Sequence, residues 1–198
     1  MKNLPIYDVL DDIKTTLNTE SALILEAPPG AGKSTVVPIS LLNESWLENK
    51  VIIMLEPRRV AVRMAAVQMA KLLGEEVGQS VGYQVKMESC YSKQTKLLVV
   101  TEAILVRKLQ SDQALEDVAM VIFDEFHERS IHTDLSLALC LQVQELLRDD
   151  LKLLIMSATL DSLELTNLLG NIPVINSKGK IYDVENIELS NTIISNII

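Results

Sequence analysis

A lysine and two hydroxyls close a glycine-bearing run, Ala27-Pro28-Pro29-Gly30-Ala31-Gly32-Lys33-Ser34-Thr35. The chemistry that this spacing suits is phosphate binding. Gly30 and Gly32 let backbone N–H groups curl inward around an anion. A helix opening behind them would present its positive N-terminus to the same anion. Lys33 would reach the β- and γ-phosphates, and Ser34 would give its hydroxyl to Mg²⁺. The pattern is A-x-x-x-x-G-K-S, with Ala27 where the usual loop carries glycine. The second candidate is Phe123-Asp124-Glu125-Phe126-His127-Glu128-Arg129-Ser130. An acidic residue ending an apolar strand, as Asp124 does, can hold Mg²⁺ through its water shell. Glu125 beside it can orient and deprotonate a water attacking the γ-phosphate. Two adjacent carboxylates repel unless a cation lies near. An ordinary Gly/Pro turn and a solvated acidic turn are the plainer alternatives. The strand-to-helix context around Lys33 favours the nucleotide site, and that site in turn favours the metal reading of Asp124.

The elements needed to position these groups are legible. Ala22-Leu23-Ile24-Leu25 leads into the loop as a strand of about 22–27, and a helix of about 33–44 follows. Val51–Leu55 is a continuous apolar run, typical of a parallel strand buried on both faces. Glu56-Pro57-Arg58-Arg59 opens a helix that reaches about Leu73, stopped by Gly74. Further strands are expected at 81–85, 97–100, 119–123, 153–156 and 173–175. Helices are expected at 4–18, 102–110, 132–148 and from Asp161 to about Leu169. Strands alternating with helices predict an α/β fold, a parallel sheet with helices on both faces, its polar motifs at the carboxyl ends of the strands. Several strands separate Lys33 from Asp124. That suits a sheet with one strand inserted between the two that carry them.

The chain has 198 residues, 48% of them hydrophobic, enough for one well-cored domain. No apolar run approaches the ~20 residues of a membrane span, and the N-terminus lacks the apolar segment of a signal peptide. Cys90 and Cys140 have no metal-ligand spacing and read as free thiols. Together these predict a cytoplasmic protein with no membrane partner. The formal net charge of −9 argues against nucleic-acid binding by bulk electrostatics, so any such contact must be a local patch.

The ordered set of motifs resembles the first RecA-like domain of superfamily 2 DEAH-type ATP-dependent RNA helicases, and within them the bacterial HrpB-type branch. APPGAGKST resembles motif I, EPRRVAVRMAA motif Ia, TEAILVRKL motif Ib, DEFHERS motif II and MSATLD motif III. VGYQVKMES resembles the segment between Ia and Ib, so the likeness spans about the whole chain. Ala27, Phe126 and Ala103 depart from the general pattern; the first two match the HrpB-type variant. The resemblance implies a RecA-like P-loop NTPase domain over 1–178, with 179–198 beginning a linker to a second RecA-like domain. That domain's motifs are absent here, which predicts a part or a truncated form of a longer protein. Implied partners are ATP, Mg²⁺ and RNA, held weakly by this domain alone. Arg58 and Arg59 would contact nucleic acid, the sequence leaving open which does so, and Thr101 would hold a phosphate as well as cap the helix behind it. His127, Ser157 and Thr159 would couple the ATP site to domain movement; Glu128, Arg129 and His132 read as structural. Arg63 is a candidate for adenine stacking, with Gln68 where relatives often carry arginine. A nucleotide-binding module without catalysis and a DNA translocase stay open, since no motif here reads a 2′-hydroxyl.

Overall fold

Apolar runs that lack polar alternation must bury both faces, and here they do so in the middle of one sheet. In a computed structural model, which describes residues 4–158, 169–170 and 172–178, a 3₁₀ turn at Pro5–Val9 leads into α1 (Leu10–Thr19). Then follow β1 (Ala22–Glu26), α2 (Lys33–Ser40), β2 (Val51–Leu55) and α3 (Arg59–Leu73). The chain continues through β3 (Val81–Val85), β4 (Glu88–Cys90), β5 (Leu97–Val100) and α4 (Glu102–Ser111). It closes with β6 (Val118–Phe123), α5 (Ile131–Leu146), β7 (Lys152–Ser157) and β8 (Val174–Asn176). The strand order is β4-β3-β5-β2-β6-β7-β1-β8. Every pairing is parallel except β3 with β4. The inserted strand expected from the spacing is β7, which lies between β1 and β6.

Alternate residues of the central strands feed two cores. Leu23, Leu25, Ile52, Met54, Met120, Ile122, Leu154 and Met156 meet α1, α2 and α3 through Ile13, Leu17, Val37, Val62 and Met69. Ile24, Ile53, Leu55, Val121, Phe123, Leu153 and Ile155 meet α4 and α5 through Leu105, Leu109, Leu137, Cys140 and Val143. The α/β expectation therefore holds, with helices on both faces of a mostly parallel sheet. Cys140 is buried, and that burial pushes its thiol pKa up to about 12, so it is a neutral core group. No helix among the described residues is long and apolar enough to cross a membrane.

Most boundaries shift by one or two residues, and three features differ more from expectation. The helix after the loop ends at Ser40, not near 44, because Pro38 lies inside it. Proline has no N–H to continue the ladder, and Leu41, Leu42 and Glu44 then bond three residues back, to Pro38, Ile39 and Leu41. The antiparallel strand β4 was not expected at all; its turn runs through Met87 at φ +65°, a conformation that the sequence does not advertise with Gly or Asn. The N-terminal helix is split, its first turn being 3₁₀. The helix expected at 161–169, Thr159 and the 179–198 tail lie outside the described residues, apart from Leu169.

Candidate nucleotide-binding site

The loop after β1 is shaped by its glycines. Gly30 and Gly32 take φ of +76° and +97°, in the left-handed region that favours glycine. A Cβ at Gly32 would stand 3.0 Å from Leu4 Cδ1 and 3.1 Å from Ile6 Cγ2, so the N-terminal segment packs directly on the loop. The Ile6 amide donates to the Ala31 carbonyl at 3.3 Å, and the Ala27 amide donates to Ser157 at the end of β7 at 3.0 Å. Pro28 and Pro29 lead from β1 to Gly30, and the Ala31 amide donates back to the Pro28 carbonyl at 3.2 Å. Lys33, Ser34 and Thr35 form the first turn of α2. The Thr35 amide donates to the Gly32 carbonyl at 3.3 Å, while the Lys33 and Ser34 amides, first in the helix, have no intrahelical acceptor four residues back, which suits this turn to receive an anion.

Lys33 is 3% exposed, and its Nζ donates to Glu125 Oε1 at 2.8 Å. Glu125 sits at φ +47°, and its amide donates to Asp124 Oδ1 at 2.8 Å. Asp124 is buried, and its second oxygen, Oδ2, has no hydrogen-bond partner among the described residues. Burial raises its pKa above the usual carboxylate range; the Ser34 hydroxyl acts in the opposite direction. An orphaned, buried carboxylate oxygen with a serine hydroxyl close by is a donor set for a hard cation such as Mg²⁺, which takes one or two carboxylates and otherwise keeps water.

One member of the site was missed by sequence reasoning. Glu56 follows β2 directly as Asp124 follows β6, and the two strands are neighbours, with Asp124 N–H donating to the Leu55 carbonyl at 3.1 Å. Glu56 is buried, which, with the negative field of Asp124, pushes its pKa up to about 9. The signal was available in part: Glu56 ends the apolar run Val51–Leu55 as Asp124 ends Val118–Phe123.

His127 lies in a 3₁₀ turn, Phe126–Glu128, after Glu125. The Ala158 amide donates to its Nδ1 at 3.3 Å, and its Nε2 lies 3.4 Å from Glu125 Oε2. With Nδ1 accepting, the proton of a neutral ring sits on Nε2, facing the carboxylate. His127 thus spans from Glu125 to the end of β7, where Ser157 is buried. Phe126 is buried edge-on against Phe123, their centroids 6.3 Å apart, which fixes the turn to the core.

The remaining sequence candidates separate. Arg58 is the N-cap residue of α3, without a side-chain cap, and pairs with Glu128 at 2.7 Å. Arg59 donates to the Lys86 carbonyl, in the turn between β3 and β4, at 2.5 Å. Thr101 is the N-cap residue of α4, but its side chain makes no capping hydrogen bond. Arg63 pairs with Glu88 on β4. That places it beside β4, the strand at the sheet edge furthest from β1.

Comparison with known proteins agrees with this arrangement. The DEAD/DEAH box helicase family model matches residues 11–168. The chain is 49% identical over 185 residues to the ATP-dependent RNA helicase HrpB of Escherichia coli (strain K12), covering 93% of this chain and 23% of that protein. It is 33% identical to the ATP-dependent RNA helicase HrpA of Borreliella burgdorferi, covering 92% of this chain and 22% of that protein. The crystal structure of the Escherichia coli DEAH/RHA helicase HrpB superposes with a TM-score of 0.88, over 92% of this chain and 23% of that one. The chain thus spans less than a quarter of the length of these relatives. On the match over residues 11–168 and the identity over nearly its whole length, the chain belongs to the DEAD/DEAH box helicase family.

Proposed function

We propose that residues 1–178 are the ATP-binding RecA-like domain of a cytoplasmic ATP-dependent RNA helicase, and that 179–198 begin the link to a second RecA-like domain. The observation that carries this reading is the meeting of Lys33, Asp124 and Glu125 at the phosphate loop, with one Asp124 oxygen left without a partner. The amides of the loop and of the first turn of α2 would cradle the phosphates, with Lys33 neutralising their charge. Asp124 and Ser34 would hold Mg²⁺, which would neutralise negative charge on the phosphates. As the γ-phosphate takes over Lys33, Glu125 is released to accept a proton from the attacking water. His127 links that carboxylate to the β7 end, where Ser157 lies, and so ties the chemistry to domain movement. Arg58 is the phosphate contact of choice for RNA, because its side chain is 72% exposed whereas Arg59 is tied to the β3–β4 turn. Thr101 stands one strand over, its hydroxyl uncommitted to its own helix.

The test is Glu125→Gln in the full-length protein. ATP binding is expected to persist while RNA-stimulated phosphate release falls about 10²–10⁴-fold, the usual worth of a general base. Undiminished release in this variant would assign the base elsewhere.

A further inference from the structure

Arg58 has a partner that no sequence argument supplied. Its Nη2 donates to Glu128 Oε1 at 2.7 Å. The guanidinium stands at the N-terminus of α3, where the helix dipole disfavours a cation, and the Glu128 carboxylate offsets that field. Glu128 is not an isolated surface acid. Its own amide donates to the Glu125 carbonyl at 2.8 Å, closing the turn that carries the catalytic carboxylate. That turn is bounded by two left-handed residues that are not glycine, Glu125 at φ +47° and Arg129 at φ +26°. Backbone held in such a conformation persists only where its surroundings enforce it. Arg58, Glu128, Asp124 and Glu125 also line one pocket of about 220 Å³, so the arginine on the nucleic-acid side and the carboxylates on the nucleotide side share a wall.

We propose that the Glu128 carboxylate is an internal stand-in for a nucleic-acid phosphate. It holds Arg58 while no strand is bound. A backbone phosphate arriving at Arg58 displaces it, and the freed Glu128 loosens the turn that fixes Glu125. Glu128 is thus a positioning residue: it sets how much RNA is needed to stimulate ATP hydrolysis, acting through Arg58 on one side and the Glu125 carbonyl on the other. This rests on the reading of Arg58 as an RNA contact. The pair is largely exposed on its arginine side, so it is a weak competitor, and removing it is worth about two- to fivefold in RNA affinity.

The experiment uses the full-length protein as wild type, Glu128→Gln, Glu128→Ala and Asp149→Asn. Asp149 is exposed and precedes β7, at the opposite end of the sheet, so its variant changes the net charge equally without touching Arg58. The probe is a fluorescein-labelled single-stranded oligouridylate, with binding read by anisotropy and stimulation by phosphate release. Both Glu128 variants are expected to bind the probe about two- to fivefold more tightly and to reach half-maximal stimulation at correspondingly less RNA. Asp149→Asn should do neither, and in an Arg58→Ala background Glu128→Gln should add nothing. Glu128 variants that match Asp149→Asn overturn the proposal. A wild-type protein that neither binds nor responds to the probe removes the RNA reading beneath it, a failure visible without any variant.

Discussion

Replacing Lys33 by alanine should damage the protein twice, and the two effects are separable. The ammonium is buried against Glu125, with side-chain exposures of 4% and 28% and a separation of 2.8 Å. Its loss leaves Glu125 beside Asp124 with no cation between them and the phosphate loop, and with Glu56 close behind. An exposed ion pair is worth ~0.2–1 kcal/mol, whereas removing one partner of a fully buried pair costs ~3–5 kcal/mol. Glu125 keeps some access to water, so a destabilisation of about 2 kcal/mol is expected. ATP binding loses a charge-assisted contact worth ~1.5–3 kcal/mol, or about 10- to 150-fold in affinity.

Urea unfolding measures the first effect and titration with a fluorescent ATP analogue the second. The double variant Lys33→Ala/Glu125→Gln distinguishes their causes. Neutralising Glu125 relieves the carboxylate repulsion, so most of the lost stability should return, with a coupling of about 1–2 kcal/mol in the cycle. Affinity for ATP should not return, because no cation has been restored. A Lys33→Ala protein as stable as the parent would refute the counter-ion role. Recovery of ATP affinity in the double variant would refute the phosphate role.

Two further outcomes follow from neighbouring groups. Glu56 has its pKa pushed up to about 9 from an ordinary 4.5, so the folded state keeps a proton that the unfolded chain releases between those values. Its contribution to stability is therefore whole below about pH 4.5 and is lost as pH rises toward 9, by at most ~1.4 kcal/mol per pH unit. In chelator-treated protein, Glu56→Gln should flatten the decline in urea stability between about pH 6 and pH 8, and parallel slopes for the two proteins would refute this. Gly32→Ala should cost ~1–3 kcal/mol in thermal unfolding, since strained φ adds to contact with Leu4 and Ile6. Gly30→Ala, with nothing within 4 Å of the new Cβ, should cost only about 1 kcal/mol, and equal losses would mean that the N-terminal segment does not pack on the loop.

What the sequence disclosed and what it hid divide along physical lines. Val51–Leu55 and Val118–Phe123 are runs with no polar alternation, and such runs have one stable home, the centre of a parallel sheet. Their ends are fixed by where the apolar run stops, so Asp124 could be placed at a strand's carboxyl end before any coordinates. Edge structure carries no such constraint. Glu-Ser-Cys at β4 has neither alternation nor a turn residue before it, and it pairs only because Met87 turns the chain back. Pairings across the chain were equally hidden. Lys33 and Glu125 are 92 residues apart, and Arg58 and Glu128 are 70 apart. Spacing marks which residues carry charge, whereas only the fold decides which charges meet.

The inserted strand sets apart the two chain segments that carry those charges. With β7 between them, the ends of β1 and β6 stand two strand spacings apart, about 10 Å. Directly adjacent strands would halve that distance. At two spacings the long Lys33 side chain, entering from the β1 side, and Glu125, from the β6 side, can just close the gap, which they do at 2.8 Å. His127 then reaches over the intervening strand to the Ala158 amide. On the proposed reading the pair fills the place that phosphates would take, between the ends of β1, β6 and β7. On that reading a nucleotide entering there would separate Lys33 from Glu125, handing the cation to the phosphates and the released carboxylate to water in the same movement.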